Sequence, residues 1–466
     1  MPKIVEIFLD CIAIFFVIYI LLYTTYLFLS VVFGAFQLYT KERRTQIRNE
    51  LVHDYYVPVS ILVPAHNEEV TIVDSIRSLL DLEYRLYEII IVDDGSTDGT
   101  SKEVIKHFRL KKMQRPIYRQ IACKQEKEVY ETNVGNVHVT LIVKENGGKG
   151  DALNMGINVS QYPYFLCIDA DSVLQRDSLE KIAQPLLEDE RIVAVGGLIQ
   201  VSQCVERERG YIKAYHVPKD PLIAMQVLEY DRSFLASRIL MDGYNGNLII
   251  SGAFGLFKKD VVIAAGGYDL QTLGEDMELV VKLHVFCRNN NIPYTMRYEP
   301  NACCWSQVPG SLRDLLKQRR RWHLGLFQCM TKYYKIFANR RFGRVSFISY
   351  MYYLLFELAS PAIELIGIFS MLVAAIYGVL NFKFMVKFIF LYSIYGAILT
   401  LTAFFQRIYT QNLSISVLDV LRAIYMCFLE SVFFRYVLSL GRMLAFVGYR
   451  KNKNKWGSIK RVKHNG

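Results

Sequence analysis

From residue 11 to residue 39 the chain carries no charged side chain. About 20 apolar residues are enough to cross a bilayer, so this stretch predicts a transmembrane helix near the N-terminus. A cleaved leader would have a shorter apolar run followed by a small-residue cleavage site, and neither is present. Lys41, Arg43, Arg44 and Arg48 follow at once. Basic flanks collect on the cytoplasmic side, so whatever comes next is expected to be held against the inner face of a membrane.

The 466-residue chain as a whole is long enough for two to four domains. Its 52% hydrophobic content, concentrated at the two ends, excludes a disordered chain and argues against a plain soluble one. The net charge of +11 would suit nucleic acid, an anionic membrane face or a phosphorylated substrate. The cations lie mostly at membrane edges, which favours the bilayer and leaves no case for nucleic acid. Nine cysteines show no CxxC pair and no Cys/His zinc spacing, as expected for reduced thiols on a cytosolic body.

Four zones are expected. Residues 1–48 are the first membrane helix and its basic flank. Residues 49–342 alternate β-rich runs, at 59–63, 89–92, 139–143 and 165–168, with helical stretches at 71–80 and 99–108. That alternation predicts a parallel α/β sheet, whose ligands sit at the carboxyl ends of the strands. Residues 343–448 return to apolar sequence, in segments 347–380, 388–405 and 413–440. Residues 449–466 are a basic tail, expected in the cytoplasm. One N-terminal span leaves the second zone inside, so an even number of spans should follow. At least one apolar segment is then interfacial, re-entrant or split, and the charge-punctuated 413–430 stretch is the best interfacial candidate. The whole is expected to be a multi-pass cell-membrane protein of about four spans.

Acidic clusters fall where an open sheet presents its ligand. The first strand ends in Val63-Pro64-Ala65-His66-Asn67-Glu68-Glu69, the second in Asp93-Asp94-Gly95-Ser96, the fourth in Asp169-Ala170-Asp171. Two carboxylates two residues apart at a strand end suit a hard ion, Mg²⁺ or Mn²⁺, that shares its sphere with diphosphate oxygens. After the third strand, Asn146-Gly147-Gly148-Lys149-Gly150-Asp151 offers glycines for close backbone approach and a lysine charge for phosphate. Its spacing is not that of a P-loop. Gly274-Glu275-Asp276 opens a helical pattern where a carboxylate can act as general base. Gln318-Arg319-Arg320-Arg321-Trp322 lies on an amphipathic helix. There Arg321 suits a leaving diphosphate and Trp322 a sugar face. Arg319 and Arg320 read more simply as a basic membrane-surface face.

Taken in order, Asp93-Asp94-Gly95, Asp169-x-Asp171, Gly274-Glu275-Asp276 and Gln318-x-x-Arg321-Trp322 resemble the membrane-embedded family 2 glycosyltransferases. These are the cellulose, hyaluronan and poly-N-acetylglucosamine synthases and their relatives. The resemblance covers residues 55–330 by motif, and the rest by membrane layout. It implies an α/β GT-A catalytic domain in the cytoplasm, inserted between transmembrane helices. Glu68, Asp93 and Asp94, with Pro64 beside them, would meet the uridine part of a UDP-sugar. Lys149 would sit near the nucleotide, Asp169 would face the donor, and Asp171 with Asp169 would bind the metal. Asp276, next to Glu275, would be the base, and Gln318, Arg321 and Trp322 would hold the diphosphate and the acceptor end. Ser251 and Gly252 resemble the segment that shapes the acceptor site. The family usually reads Thr-Glu-Asp where this chain has Gly274-Glu275-Asp276.

The implied reaction is inverting and processive, with UDP-glucose preferred as donor and a growing polysaccharide as acceptor. Trp305, Tyr352, Tyr353, Glu357 and Glu364 are candidates for a sugar path across the bilayer, although interfacial aromatic belts have the same composition. The chain ends at Gly466, which leaves no room for the C-terminal cyclic-di-GMP-binding β-barrel of bacterial cellulose synthases. Regulation by that route would take an accessory subunit. Poly-N-acetylglucosamine or hyaluronan-type synthesis and single-sugar transfer to a lipid are the alternatives within the class. A transporter with a cytoplasmic domain, the reading from outside it, predicts more ionisable residues deep in several spans.

Overall fold

Successive strand residues point to opposite faces of a sheet. In β1 (Val59–Ala65) and β2 (Tyr87–Asp93), Ile61, Val63, Ile89 and Ile91 enter one apolar layer, and Leu62, Ile90 and Val92 the other. A strand covered on both faces has no polar alternation, which is why these segments read as unbroken apolar runs. The computed structural model describes residues 3–49, 56–208, 211–411, 413–447 and 449. Its remaining strands are β3 (Lys111–Met113), β4 (Glu126–Val134), β5 (Val137–Lys144), β6 (Tyr164–Cys167), β7 (Ser172–Leu174), β8 (Ile192–Val201), β9 (Val205–Glu208), β10 (Tyr211–Tyr215), β11 (Gly255–Lys258) and β12 (Thr295–Ser306). Among the described residues, ten strands form one sheet in the order β3-β4-β5-β2-β1-β6-β11-β8-β12-β7, and β9 with β10 forms a separate ribbon.

The sheet is mixed, not parallel throughout as expected. β1 runs parallel to β2 and β6, and β2 parallel to β5. β11 is antiparallel to both its neighbours, and β4 is antiparallel to β5. β4 and β5 join through a tight turn at Gly135 (φ +60°), a hairpin that needs no crossover helix. The alternation of Lys, Glu and Thr in β4 hid that strand from a search for apolar runs. The chain leaves β1 for β2 on one side and returns to β6 on the other. This reversal brings the carboxyl ends of β1, β2 and β6 together at a topological switch point, where open sheets bind ligands.

Two described helices are long and apolar enough to cross a membrane: Lys3–Thr40, within the helix Lys3–Asn49, and Phe382–Thr410. A third span is available if Val345–Leu358 and Ser360–Ile376, which meet at 47° beside Pro361, count as one. Among the described residues, length and composition thus give two or three candidate spans, and the expected four are not confirmed. The helix Val417–Leu429 is closed by a capping box between Ser416 and Asp419. Its start docks on the catalytic domain, where Asp419 accepts a hydrogen bond from the Val217 amide at 3.0 Å. The side chains of residues 41–48 and the basic tail beyond residue 449 lie outside the described residues.

Candidate functional site

Asp94 leaves the end of β2 with its carboxylate fully engaged. It accepts from the amides of Gly147 (2.9 Å) and Gly148 (2.7 Å) and from Lys144 Nζ (2.5 Å). Lys144 is fully buried and also reaches Asp151 Oδ1 at 2.6 Å. The two glycines are needed for this approach. Gly148 has φ +91°, and a Cβ on Gly147 would fall 2.5 Å from the Asp151 carboxyl carbon. The loop before the helix Lys149–Val159 is therefore folded around a buried lysine that the motif reading missed. Lys144 follows directly on the β-rich run 139–143 with no motif around it, and only its packing reveals it.

Asp93 faces away from the cavity. Its carboxylate accepts from the Ser96 amide at 2.8 Å and from the Ser101 hydroxyl. It shapes the turn beneath the expected nucleotide pocket and does not line it. Glu68 Oε2 accepts from Thr71 Oγ1 at 2.8 Å and reaches the cavity wall with Pro64 and Asp94.

Lys149 begins its helix with its ammonium 2.5 Å from Asp169 Oδ1 and 3.5 Å from Glu275 Oε1. Burial pushes the lysine down, but the carboxylates of Asp169, Glu275 and Asp276 reverse this and hold it above the ordinary lysine range. Burial pushes the Glu275 carboxyl up, against the pull of Lys149. Asp276 is half-buried at the start of the helix Glu275–Asn289. It accepts from its neighbour's amide at Met277 (2.8 Å) and from the Gly252 amide (3.3 Å). Those donors fix the carboxylate at the cavity wall, and Ser251 and Gly252 line the same wall.

The helix Leu312–Lys332 carries Gln318, Arg321 and Trp322 into this cavity. Gln318 Oε1 is buried and meets no protein donor among the described residues. The surface role expected of Arg319 is not observed: it is only 4% exposed and grips Glu229 with both guanidinium arms. Arg320 instead donates to the Leu444 carbonyl at 3.2 Å. This helix is clamped to the one bearing Asp276. Buried Glu278 accepts from Lys332 Nζ (2.5 Å) and Tyr333 Oη (2.7 Å). Gly274, in the place of the family's usual threonine, lies flat against Gly325. A Cβ on Gly325 would stand 2.8 Å from the Gly274 nitrogen. Gly325→Ala is expected to lower stability by about 1–3 kcal/mol through overpacking. It should reduce transfer more than nucleotide binding, as thermal unfolding and UDP titration together would read.

Of the residues expected to bind the nucleotide, metal or acceptor or to take part in the chemistry, all but Asp93 line one cavity of about 1180 Å³, Asp171 among them. The cavity continues past Trp322 to Tyr352, Tyr353, Glu357, Glu364 and Tyr392 among the apolar helices. Trp305 is not part of it: that side chain is 1% exposed, beneath Arg407. Along the deeper wall Arg435 Nε donates to Glu364 Oε1 at 2.6 Å, and Arg232 Nη2 to Glu430 Oε1 at 2.7 Å. Sequence motifs gave no sign of these pairs, whose members are far apart in the chain.

The sequence profile described as Glycosyl transferase family 2 matches residues 60–263, and that described as Glycosyl transferase family group 2 matches residues 164–438. The chain is 28% identical over 346 residues to a poly-beta-1,6-N-acetyl-D-glucosamine synthase of Staphylococcus aureus, covering 73% of this chain and 71% of that protein. It is 31% identical over 276 residues to the synthase of the same name from Staphylococcus epidermidis, covering 59% and 55%. Among solved structures, a mannosyltransferase of Pyrobaculum calidifontis in complex with GDP-Man and Mn²⁺ matches with a TM-score of 0.52 and 19% identity. That match covers 88% of this chain and 98% of the other, and it speaks to the fold.

Proposed function

The chain belongs to the glycosyl transferase family 2 group, and on that footing we propose that it polymerises N-acetylglucosamine from its UDP-sugar into a β-linked glycan. The polymer would leave through the enzyme's own membrane helices, with the catalytic domain on the cytoplasmic side. The observation that carries this reading is the single cavity joining the strand ends at Asp94 and Asp169 to Tyr352 and Tyr392 among the apolar helices. Such a path would hold a growing polymer; it would also admit a lipid acceptor, and the product of the test below separates the two. The relatives named above favour N-acetylglucosamine over the glucose that the family resemblance implied.

Asp276 would take the proton from the acceptor hydroxyl. The acceptor oxygen then bonds to the anomeric carbon of the donor as the bond from that carbon to the diphosphate oxygen breaks, with inversion. Arg321 and Lys149 would meet the charge that develops on the departing diphosphate. Trp322 would stack on the terminal sugar of the acceptor, and Gln318, with an acceptor atom unused by the protein, would bond a sugar hydroxyl.

Asp169 and Asp171 would hold a divalent ion. The donor set fits a hard cation, since both are carboxylates at one strand end and both reach the cavity. Among the described residues no third His, Cys, Asp or Glu joins them, and Lys149 Nζ lies 2.5 Å from Asp169 Oδ1, so the ion would share Asp169 with that lysine and take its other ligands from diphosphate oxygens and water. When bound, Mg²⁺ or Mn²⁺ would neutralise the leaving group.

The test supplies membranes containing the enzyme with labelled UDP-N-acetylglucosamine or UDP-glucose separately, with and without a chelator. The expected product is a long polymer from the first donor alone, cut by a β-1,6-N-acetylglucosaminidase and absent in excess EDTA. Polymer from UDP-glucose alone would reverse the donor assignment. A lipid carrying one sugar would replace processive synthesis with single transfer.

A further inference from the structure

We propose that Glu229 is the positioning residue of the acceptor platform: acting through Arg319, it fixes the plane of Trp322 and so sets how long the enzyme retains its growing product. The inference rests on the reading of Trp322 as the surface on which the terminal sugar stacks.

Trp322 is 40% exposed on the cavity wall. An indole so exposed has little packing of its own to choose its rotamer. What it has is a guanidinium: the Arg319 carbon sits 4.7 Å from the ring centroid. A cation on one face leaves the other face for a ligand. The stack orients the ring only if the guanidinium is itself fixed. Arg319 is nearly buried, and its two arms meet the two oxygens of Glu229 at 2.7 and 2.6 Å. Such a fork-on-fork pair sets the plane of the arginine as well as its position. A pair retained only for stability could be replaced by apolar side chains of similar volume, but these would not hold an indole in a chosen plane.

Glu229 is well placed to act as a reference. It lies in the last turn of the helix Pro221–Arg232, whose start is capped by Asp220. Two residues on, Asp231 pairs with buried Arg407 of the membrane helix Phe382–Thr410 at 3.2 Å. The next residue, Arg232, pairs with Glu430 at 2.7 Å. One helical turn thus connects the indole to two elements of the membrane region, so the platform is registered against the path that the polymer takes.

The test uses the full-length protein in detergent, with Glu229→Gln, which keeps the volume, and Arg319→Lys, which keeps the charge but loses the fork. Subtracting the emission of Trp322→Phe isolates the Trp322 fluorescence from that of Trp305 and Trp456. Both variants should expose Trp322 to more rapid acrylamide quenching. Each should also yield product shortened by about tenfold, the scale expected for losing a desolvated cation–π contact. UDP affinity should remain within about twofold, because the pair does not touch the nucleotide end of the cavity. Glu229→Asp, which restores the charge, should recover part of the length. Unchanged quenching and unchanged length in Glu229→Gln would overturn the proposal. So would loss of UDP binding in step with a lowered unfolding temperature, the mark of a merely structural pair. If the wild-type enzyme adds single sugars, the polymerase reading fails, and the quenching measurement alone still decides whether Glu229 holds the ring.

Discussion

Asp276→Asn is expected to abolish sugar transfer while leaving UDP binding near the wild-type value. The substitution keeps the size of the side chain, and its remaining oxygen can still accept from the Met277 amide that now fixes the carboxylate at 2.8 Å. What it removes is the ability to take a proton. Loss of a general base costs roughly 10²–10⁴ in rate. Asp276 bonds to the Met277 and Gly252 amides and to none of the groups that fold around Asp94, so nucleotide affinity should not follow activity. The decisive comparison is turnover against UDP titration on the same preparation. Equal loss of both would move Asp276 into the nucleotide site and leave the acceptor without a base.

Lys144→Met should produce the largest loss of stability. The Lys144 ammonium is fully buried between Asp94 and Asp151, at 2.5 and 2.6 Å. Methionine fills much of the same volume but leaves two carboxylates without their cation. Removing one partner of a buried pair costs about 3–5 kcal/mol, read here as a fall in the thermal unfolding midpoint. Nucleotide affinity should fall with it, since the Gly147-Gly148 turn is organised on the same Asp94 carboxylate. Lys144→Arg is the useful control, because it keeps the charge but needs more room. A wild-type midpoint in Lys144→Met would mean that the glycine amides alone hold Asp94.

Much of the site was legible because its chemistry sits on strand ends. Buried strands announce themselves as apolar runs, and the first polar residues after β1, β2 and β6 are then the groups presented to a ligand. Glu68, Asp94, Asp169 and Asp171 were found in this way, and all four line the cavity. The remaining features depended on partners distant in the chain. Arg319 looked like a surface cation in a basic run, and only Glu229, ninety residues earlier, shows why it is buried. Asp93 and Asp94 are indistinguishable as adjacent acids. Backbone geometry turns one toward the cavity and the other into the Ser96 turn. The polar strands β3 and β4 gave no apolar signal, and with them went the expectation of a wholly parallel sheet. The span count depended on a bend beside Pro361, and a hydropathy pattern does not distinguish a bent span from two separate helices.

The flat contact between Gly274 and Gly325 bears on how such an enzyme can change its product. The proposed base lies on one of these two helices and the proposed acceptor surface on the other, and at this point backbone meets backbone. Substitutions in the donor pocket, on the strand ends, leave that spacing alone. On the proposed roles, a change of sugar and a change of linkage would therefore be separable steps. A lineage can switch donors residue by residue at the nucleotide end while the angle at which the acceptor hydroxyl meets the base is inherited intact. A new linkage would instead require the two helices to be reset against each other.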